Sequence, residues 1–286
     1  MALFTQGCVS PNNSNNNTGS AALSQLVIAE PLAINYKSEI AIARLSEVIN
    51  RVKVTDEQKA QLHYDRGVLY DSVGLRSLAR LDFSHAIQLK PNLIDAYNFL
   101  GIHFTQLKEF SQAYEKFDSV LELEPNHEYA HLNRGIALYY GDRPELAAQD
   151  FNDFHNKQSD DPYRLLWLYL AEYEVDATLA KQKLKQRAEL VEEHTWAKQV
   201  IYLYLGEISQ AQFISELTQN VQSNKALTDR LCEAYFYLGK YNQSTNNYGA
   251  AANFFKLSLS TNVYEFVEHR YARLELDLMR TKKIDL

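Results

Sequence analysis

Residues 127–131 read His127-Glu128-Tyr129-Ala130-His131, the spacing with which zinc peptidases hold their metal. Two histidines at i and i+4 share one face of a helix and can ligate zinc, while the glutamate between them serves as general base. The neighbouring residues argue against that chemistry. Pro125-Asn126 place His127 at the very start of a helix, and His131 falls in an inward-facing slot that His63 and Tyr97 fill in two other units. The imidazoles then share no open cleft, and one core and one surface histidine are expected. Cys232 lies in the apolar helical stretch from Leu231 to Leu238 and reads as a small buried hydrophobe with no histidine beside it. No Gly-x-Ser-x-Gly, phosphate loop or dinucleotide fingerprint occurs. No catalytic residue, metal or cofactor is therefore expected, with a zinc peptidase through His127 and His131 as the alternative.

The elements that carry these residues follow a fixed interval. Gly67, Gly101 and Gly135 are 34 residues apart. In step with them come Tyr70, Phe104 and Leu138, then Ala79, Ala113 and Ala147, then Phe83, Phe117 and Phe151, with Pro91 and Pro125 closing units. This pattern resembles the tetratricopeptide repeat, an antiparallel helix pair. Glycine and alanine let the two helices approach, the aromatic ring fills the space between them, and proline ends the second helix. A further unit carries Tyr235, Leu238, Gly239, Ala251 and Phe255 in the same slots, and the gap after Gly135 holds two degenerate units opening at Trp167 and Tyr202. The expected fold is an all-α tetratricopeptide-type solenoid of about six repeats over residues 55–262. Thr55-Asp56-Glu57-Gln58 reads as a capping box that starts it. Residues 23–54 are expected to be helical and residues 263–286 to form a capping helix.

In repeats of this kind, five positions of each first helix line the concave face. Here they are Gln61, Tyr64, Val68, Asp71 and Ser72; Asp95, Asn98, Ile102, Thr105 and Gln106; and Tyr129, Leu132, Ile136, Tyr139 and Tyr140. The third set is apolar and aromatic, which suits either a docking surface for a partner segment or burial against a neighbouring helix. A clamp for a terminal carboxylate needs lysines beside Asn98, and they are missing, so that mode of recognition is disfavoured. Ahead of the repeats, Ile42, Leu45, Ile49 and Val52 form an apolar stripe that can pair across a two-fold axis or cap the first repeat.

The net charge of −7 comes with no clustered Lys/Arg block, which disfavours nucleic-acid binding. No run of 18 apolar residues occurs. Residues 8–22 are almost devoid of apolar side chains and read as a flexible tether. A small residue before Cys8 and a polar run after it are similar to a lipoprotein processing site, with residues 1–7 as the remnant of a signal peptide. The basic and apolar parts of such a peptide are absent from those seven residues. Either the start lies further upstream and Cys8 is lipidated, or Cys8 is an exposed thiol and the chain is a cytosolic assembly factor.

Four stretches make the resemblance more specific: Tyr64-Asp65-Arg66-Gly67-Val68-Leu69-Tyr70-Asp71-Ser72, the run from His131 to Gly141, Phe236-Tyr237-Leu238-Gly239-Lys240-Tyr241, and Phe266-Val267-Glu268-His269-Arg270-Tyr271-Ala272. With the tether and Cys8, the chain resembles the NlpI family of outer-membrane lipoproteins of gamma-proteobacteria, from about Leu26 to Leu278. The resemblance implies a homodimer anchored by lipid on the periplasmic face of the outer membrane. It also implies an adaptor that docks the processing protease Prc and murein hydrolases such as the endopeptidase MepS. Val9, and not Asp, after the cysteine is consistent with outer-membrane sorting in such lipoproteins.

Overall fold

The computed structural model describes residues 26–193 and 195–284, and these form fourteen α-helices. Twelve of them pair into six antiparallel hairpins: α2 (Asp56–Ser72) with α3 (Arg76–Leu89), α4 (Ile94–Gln106) with α5 (Phe110–Leu123), α6 (Ala130–Tyr140) with α7 (Pro144–Asn156), α8 (Pro162–Val175) with α9 (Ala177–Arg187), α10 (Trp196–Leu205) with α11 (Gln210–Ser215), and α12 (Asn224–Ser244) with α13 (Tyr248–Leu259). Helices α1 (Tyr36–Arg51) and α14 (Val267–Ile284) flank the array. The local signals act as their chemistry requires. Thr55 and Gln58 form the reciprocal capping box that opens α2. Pro144 and Pro162 sit in the first turns of α7 and α8, where no intrahelical N–H is needed.

The repeat interval is written in one contact. A methyl group added to Gly67, Gly101 or Gly135 would lie 2.8, 2.6 or 2.7 Å from the ring of Phe83, Phe117 or Phe151, and Gly239 meets Phe255 in the same way. Each of these phenylalanines is fully buried. The missing side chain on one helix is thus the seat of the ring on the next, which sets the hairpin spacing.

The core is uneven along the array. From Leu132 onward one continuous cluster runs to Leu276, centred on Trp167, whose indole touches the rings of Phe151, Phe236 and Tyr271. The first two hairpins rest on two smaller clusters, around Phe83 and around Phe117.

Both flanking segments carry the expected helix and add something to it. Residues 26–35 form no regular secondary structure, and helix begins only at Tyr36, capped by Asn35. This strap lies along the far end of the solenoid: the Tyr235 hydroxyl donates to Val27 O, Thr228 to Glu30 O at 3.2 Å, and Leu32 N to Thr261 O at 3.0 Å. The chain after residue 263 packs on the last hairpin and also does more than cap it. Helix α14 packs on α13 and α12 and reaches across to α4, so it runs along the concave face. It does so because its buried side chains, among them Tyr271, Leu274 and Leu276, need an apolar partner, and the aromatic third unit supplies one. No described helix is long and apolar enough to cross a membrane.

Candidate functional site

The concave face was read from three sets of residues, and the structure divides them. Gln61, Asp95 and Tyr129 are exposed, and Tyr64, Val68, Ser72, Asn98 and Gln106 are half-buried. Ile102, Thr105, Leu132 and Ile136 are buried, with Ile136 wholly inside the core. Asn98 accepts from Asn133 at 3.0 Å, which links the second and third first-helices. Asp71 and Tyr140 meet α14, while Tyr139 packs on Trp167 of α8. Arg270 donates to Asp71 at 2.6 Å, Tyr271 stacks on Tyr140 at 5.3 Å, and Glu275 accepts from the Tyr140 hydroxyl at 2.9 Å and from Lys240 at 2.6 Å. Lys240 also lies over the ring of Tyr139. Of the third set, Tyr140 is thus covered by the chain's own α14.

Where α14 begins, the face stays open. A cavity of about 420 Å³ lies between α6, α7, α8, α12 and the start of α14, and Tyr129 and Leu132 are among its lining residues. Its walls are aromatic, with Phe154, Tyr163, Trp167 and Phe266. Two carboxylates lie at its floor. Glu233 accepts from the Tyr163 hydroxyl at 2.5 Å and from Trp196 Nε1 at 3.1 Å, while Glu268 accepts from the Tyr237 hydroxyl at 3.2 Å. Burial and the charge of Glu268 push Glu233 up to about 8, and burial raises Glu268 as well. None of these six residues was singled out for a site from sequence. The available signal was Glu268-His269-Arg270, three polar residues in a row at the start of a helix that otherwise needs an apolar face.

A proton held on Glu233 has a consequence for stability. Its folded pKa is raised, so the folded protein retains a proton that the unfolded chain loses in the ordinary carboxylate range. Stability contributed by the neutral form is therefore present at low pH and is lost as pH rises toward about 8. Glu233→Gln should raise Tm at pH 8 by several degrees and change it little at pH 4.5. Equal effects at both pH values in thermal unfolding would refute this assignment.

The chemistry-bearing motif of the sequence is taken apart by the fold. His127 lies in the turn before α6, and its Nε2 is 3.4 Å from Asp95 of α4. His131 turns instead to Asp150 of α7, with Nδ1 at 3.3 Å. Among the described residues, two groups bring three metal-ligating side chains together: His63, Asp82 and His85, and His131, Asp150 and Asp153. In each, an arginine grips both oxygens of the aspartate: Arg66 to Asp82 at 2.7 and 2.8 Å, and Arg134 to Asp150 at 2.8 Å twice. A guanidinium in that position competes with a divalent cation, and the sets act as inter-helix ties in the first and third units. The second unit carries Tyr97 and Lys116 in the corresponding slots, and they make a cation–π contact. Cys232 is buried, and burial pushes its thiol up to about 12, which leaves it unreactive. Cys8 and the tether lie outside the described residues.

Six stacked hairpins with a glycine–phenylalanine contact at each regular unit define the class: an all-α solenoid of tetratricopeptide type. No family model matches the chain. The fold is similar to that of a tetratricopeptide repeat protein from Parabacteroides merdae, at 15% identity and a TM-score of 0.53, over 86% of this chain and all of that one. It is also similar to the C-terminal part of a TPR repeat-containing protein from Cytophaga hutchinsonii, at 16% identity and a TM-score of 0.50, over 79% of this chain and 90% of that one. Both likenesses bear on the fold.

Proposed function

We propose that the chain is an adaptor that binds other proteins on its solenoid surfaces, and that it acts as the NlpI-like lipoproteins do. It would be held by a lipid on Cys8 at the periplasmic face of the outer membrane, bringing a Prc-like processing protease together with a MepS-like murein hydrolase. The observation that carries a binding role is the concave face, which stays open at the aromatic cavity beside Tyr129 and Leu132 even with α14 in place. The four family-like stretches support the finer assignment, and the last of them builds the start of α14 at that cavity. Two proteins held on one scaffold meet at a raised effective concentration, which suffices to speed turnover of one by the other. Affinity capture from periplasmic extract, with lipidated and soluble forms of the chain as bait, should recover a processing protease and a murein hydrolase. Recovery of neither by either form would end this reading.

The dimer belongs to the same proposal. On α1, Ile42, Leu45 and Ile49 are half-buried against the array, and no residue of the helix is fully buried. Val52 just beyond it is 52% exposed, and Ile40 is 46% exposed. Apolar side chains left in water on a single helix favour cover by a second copy through a two-fold axis. Light scattering should give twice 32.9 kDa for the chain and 32.9 kDa for Ile40→Glu combined with Val52→Glu, with helix content unchanged. An unaltered mass in the double variant would place the interface elsewhere.

A further inference from the structure

Buried carboxylates in this protein are met by cations almost wherever they occur. Asp71 has Arg270, Asp82 has Arg66, Asp150 has Arg134 and Glu275 has Lys240, all within 2.8 Å. Glu233 and Glu268 depart from that rule. Among the described residues their recorded side-chain partners are the neutral donors Tyr163, Trp196 and Tyr237. Glu268 is only 6% exposed, yet it lines the cavity.

The rest of the lining has the same sense. Glu128, Asp161 and Glu265 add carboxylates to those of Glu233 and Glu268, against a single guanidinium, that of Arg164. That one cation is itself committed. It lies 3.9 Å from the centre of the Phe154 ring, donates to Phe154 O at 2.9 Å, and comes within 3.6 Å of Asp161 and 3.7 Å of Glu128. Arg164 is 7% exposed, and its Nε has no hydrogen-bond partner. Aromatic faces joined to carboxylates bind an organic cation through ring quadrupole and charge together. They also accept its aliphatic stem, which a bare metal ion does not have.

We propose that this cavity is a receptor for one basic side chain, lysine or arginine, carried by an extended segment of a partner protein. The inference rests on the adaptor reading and names the chemistry of what that face recognises. The cationic head lies against Glu233 and Glu268, and the methylene stem packs on Tyr129 and Trp167. Other charges facing Glu233 are Asp229 and Arg230 on its own helix and Glu268 across from it. Arg230 stacks over Trp196 and donates to the carbonyls of Leu217 and Gln219, so its charge is spent outside the cavity. A bound cation favours the ionised carboxylates, so at pH 7 binding expels the proton held by the pair and the affinity rises between pH 6.5 and 8.5.

The chain has two tryptophans, and both are reporters: Trp167 lines the cavity, and Trp196 donates to Glu233. The test is a ¹⁵N–¹H titration of their indole signals in the full chain with Ac-Gly-Lys-Gly-NH₂, Ac-Gly-Arg-Gly-NH₂, the neutral isostere Ac-Gly-norleucine-Gly-NH₂, and CaCl₂. The lysine and arginine peptides should shift both indoles saturably, with at least tenfold tighter binding than the norleucine peptide. Glu268→Gln should weaken the lysine peptide at least tenfold, and Tyr129→Ser, at the exposed rim, at least threefold. Equal binding of the norleucine peptide, a response to CaCl₂ alone, or full affinity in both variants would overturn the proposal. Periplasmic capture that survives Glu268→Gln unchanged, with no peptide response, would remove this inference and leave the adaptor reading in place. A peptide response without capture would do the reverse.

Discussion

Arg270→Ala is expected to destabilise the protein by about 3–5 kcal/mol and to loosen its first two hairpins more than the rest. Arg270 donates to Asp71 at 2.6 Å, both side chains are buried, and His103 Nε2 lies 3.2 Å from the same carboxylate. Burial works to raise the Asp71 pKa, but the close approach of His103 and the charges of Arg270 and Arg76 outweigh it and hold the group below the usual range. Removal of the guanidinium therefore strands an ionised carboxylate inside. The effect should be regional because the first two hairpins have their own small cores, whereas everything from Leu132 onward shares one. Hydrogen exchange should show protection lost in α2 to α5 ahead of α8 and α12. The double variant Asp71→Asn with Arg270→Met should recover most of the loss, since it leaves no lone charge. A cost below about 1 kcal/mol, or uniform loss of protection, would mean that α14 is held by its apolar face alone.

The other large effect concerns the repeat contact. Phe255→Ala should cost about 3–5 kcal/mol, because the ring is fully buried and packs between Gly239 and the Phe236 ring. Gly239→Ala attacks the same contact from the opposite side. The added methyl would collide with Phe255, an overpacking cost of about 1–3 kcal/mol, from which alanine's better helix propensity recovers up to about 1 kcal/mol. The same change at Gly206 makes a useful contrast. Nothing lies within 4 Å of a methyl group there, and the cost comes from its φ of +79° in the left-handed region that ends α10. Thermal denaturation should rank Phe255→Ala lowest in Tm. A variant Gly239→Ala as stable as the parent would show that glycine is not needed for helix approach in that unit.

How much of this was legible beforehand follows from the range of the forces involved. The hairpins, their register and their starts depend on contacts between residues a few to a few tens apart: Gly67 with Phe83, Thr55 with Gln58, His63 with Asp82. Such contacts recur at one interval, so a single chain displays its own pattern, and the degenerate units at Trp167 and Tyr202 could be placed by the gap they fill. The positions expected to line the concave face came from the resemblance to tetratricopeptide repeats and not from the interval itself.

What covers that lining was not legible. The contact of Arg270 with Asp71 spans 199 residues, that of Glu275 with Tyr140 spans 135, and that of Val27 with Tyr235 spans 208. Each occurs once, so no repeat announces it, and an amphipathic helix is the same in sequence whether it caps an end or fills a groove. Periodicity determined the solenoid. Only the folded chain decided that α14 lies on the concave face, that Asp71 and Tyr140 meet its own side chains, and that Glu233 and Glu268 come together at the part left open. The physical reason is that local spacing sets helix geometry, while burial of the last apolar stripe is settled by whichever distant surface matches it in shape and charge.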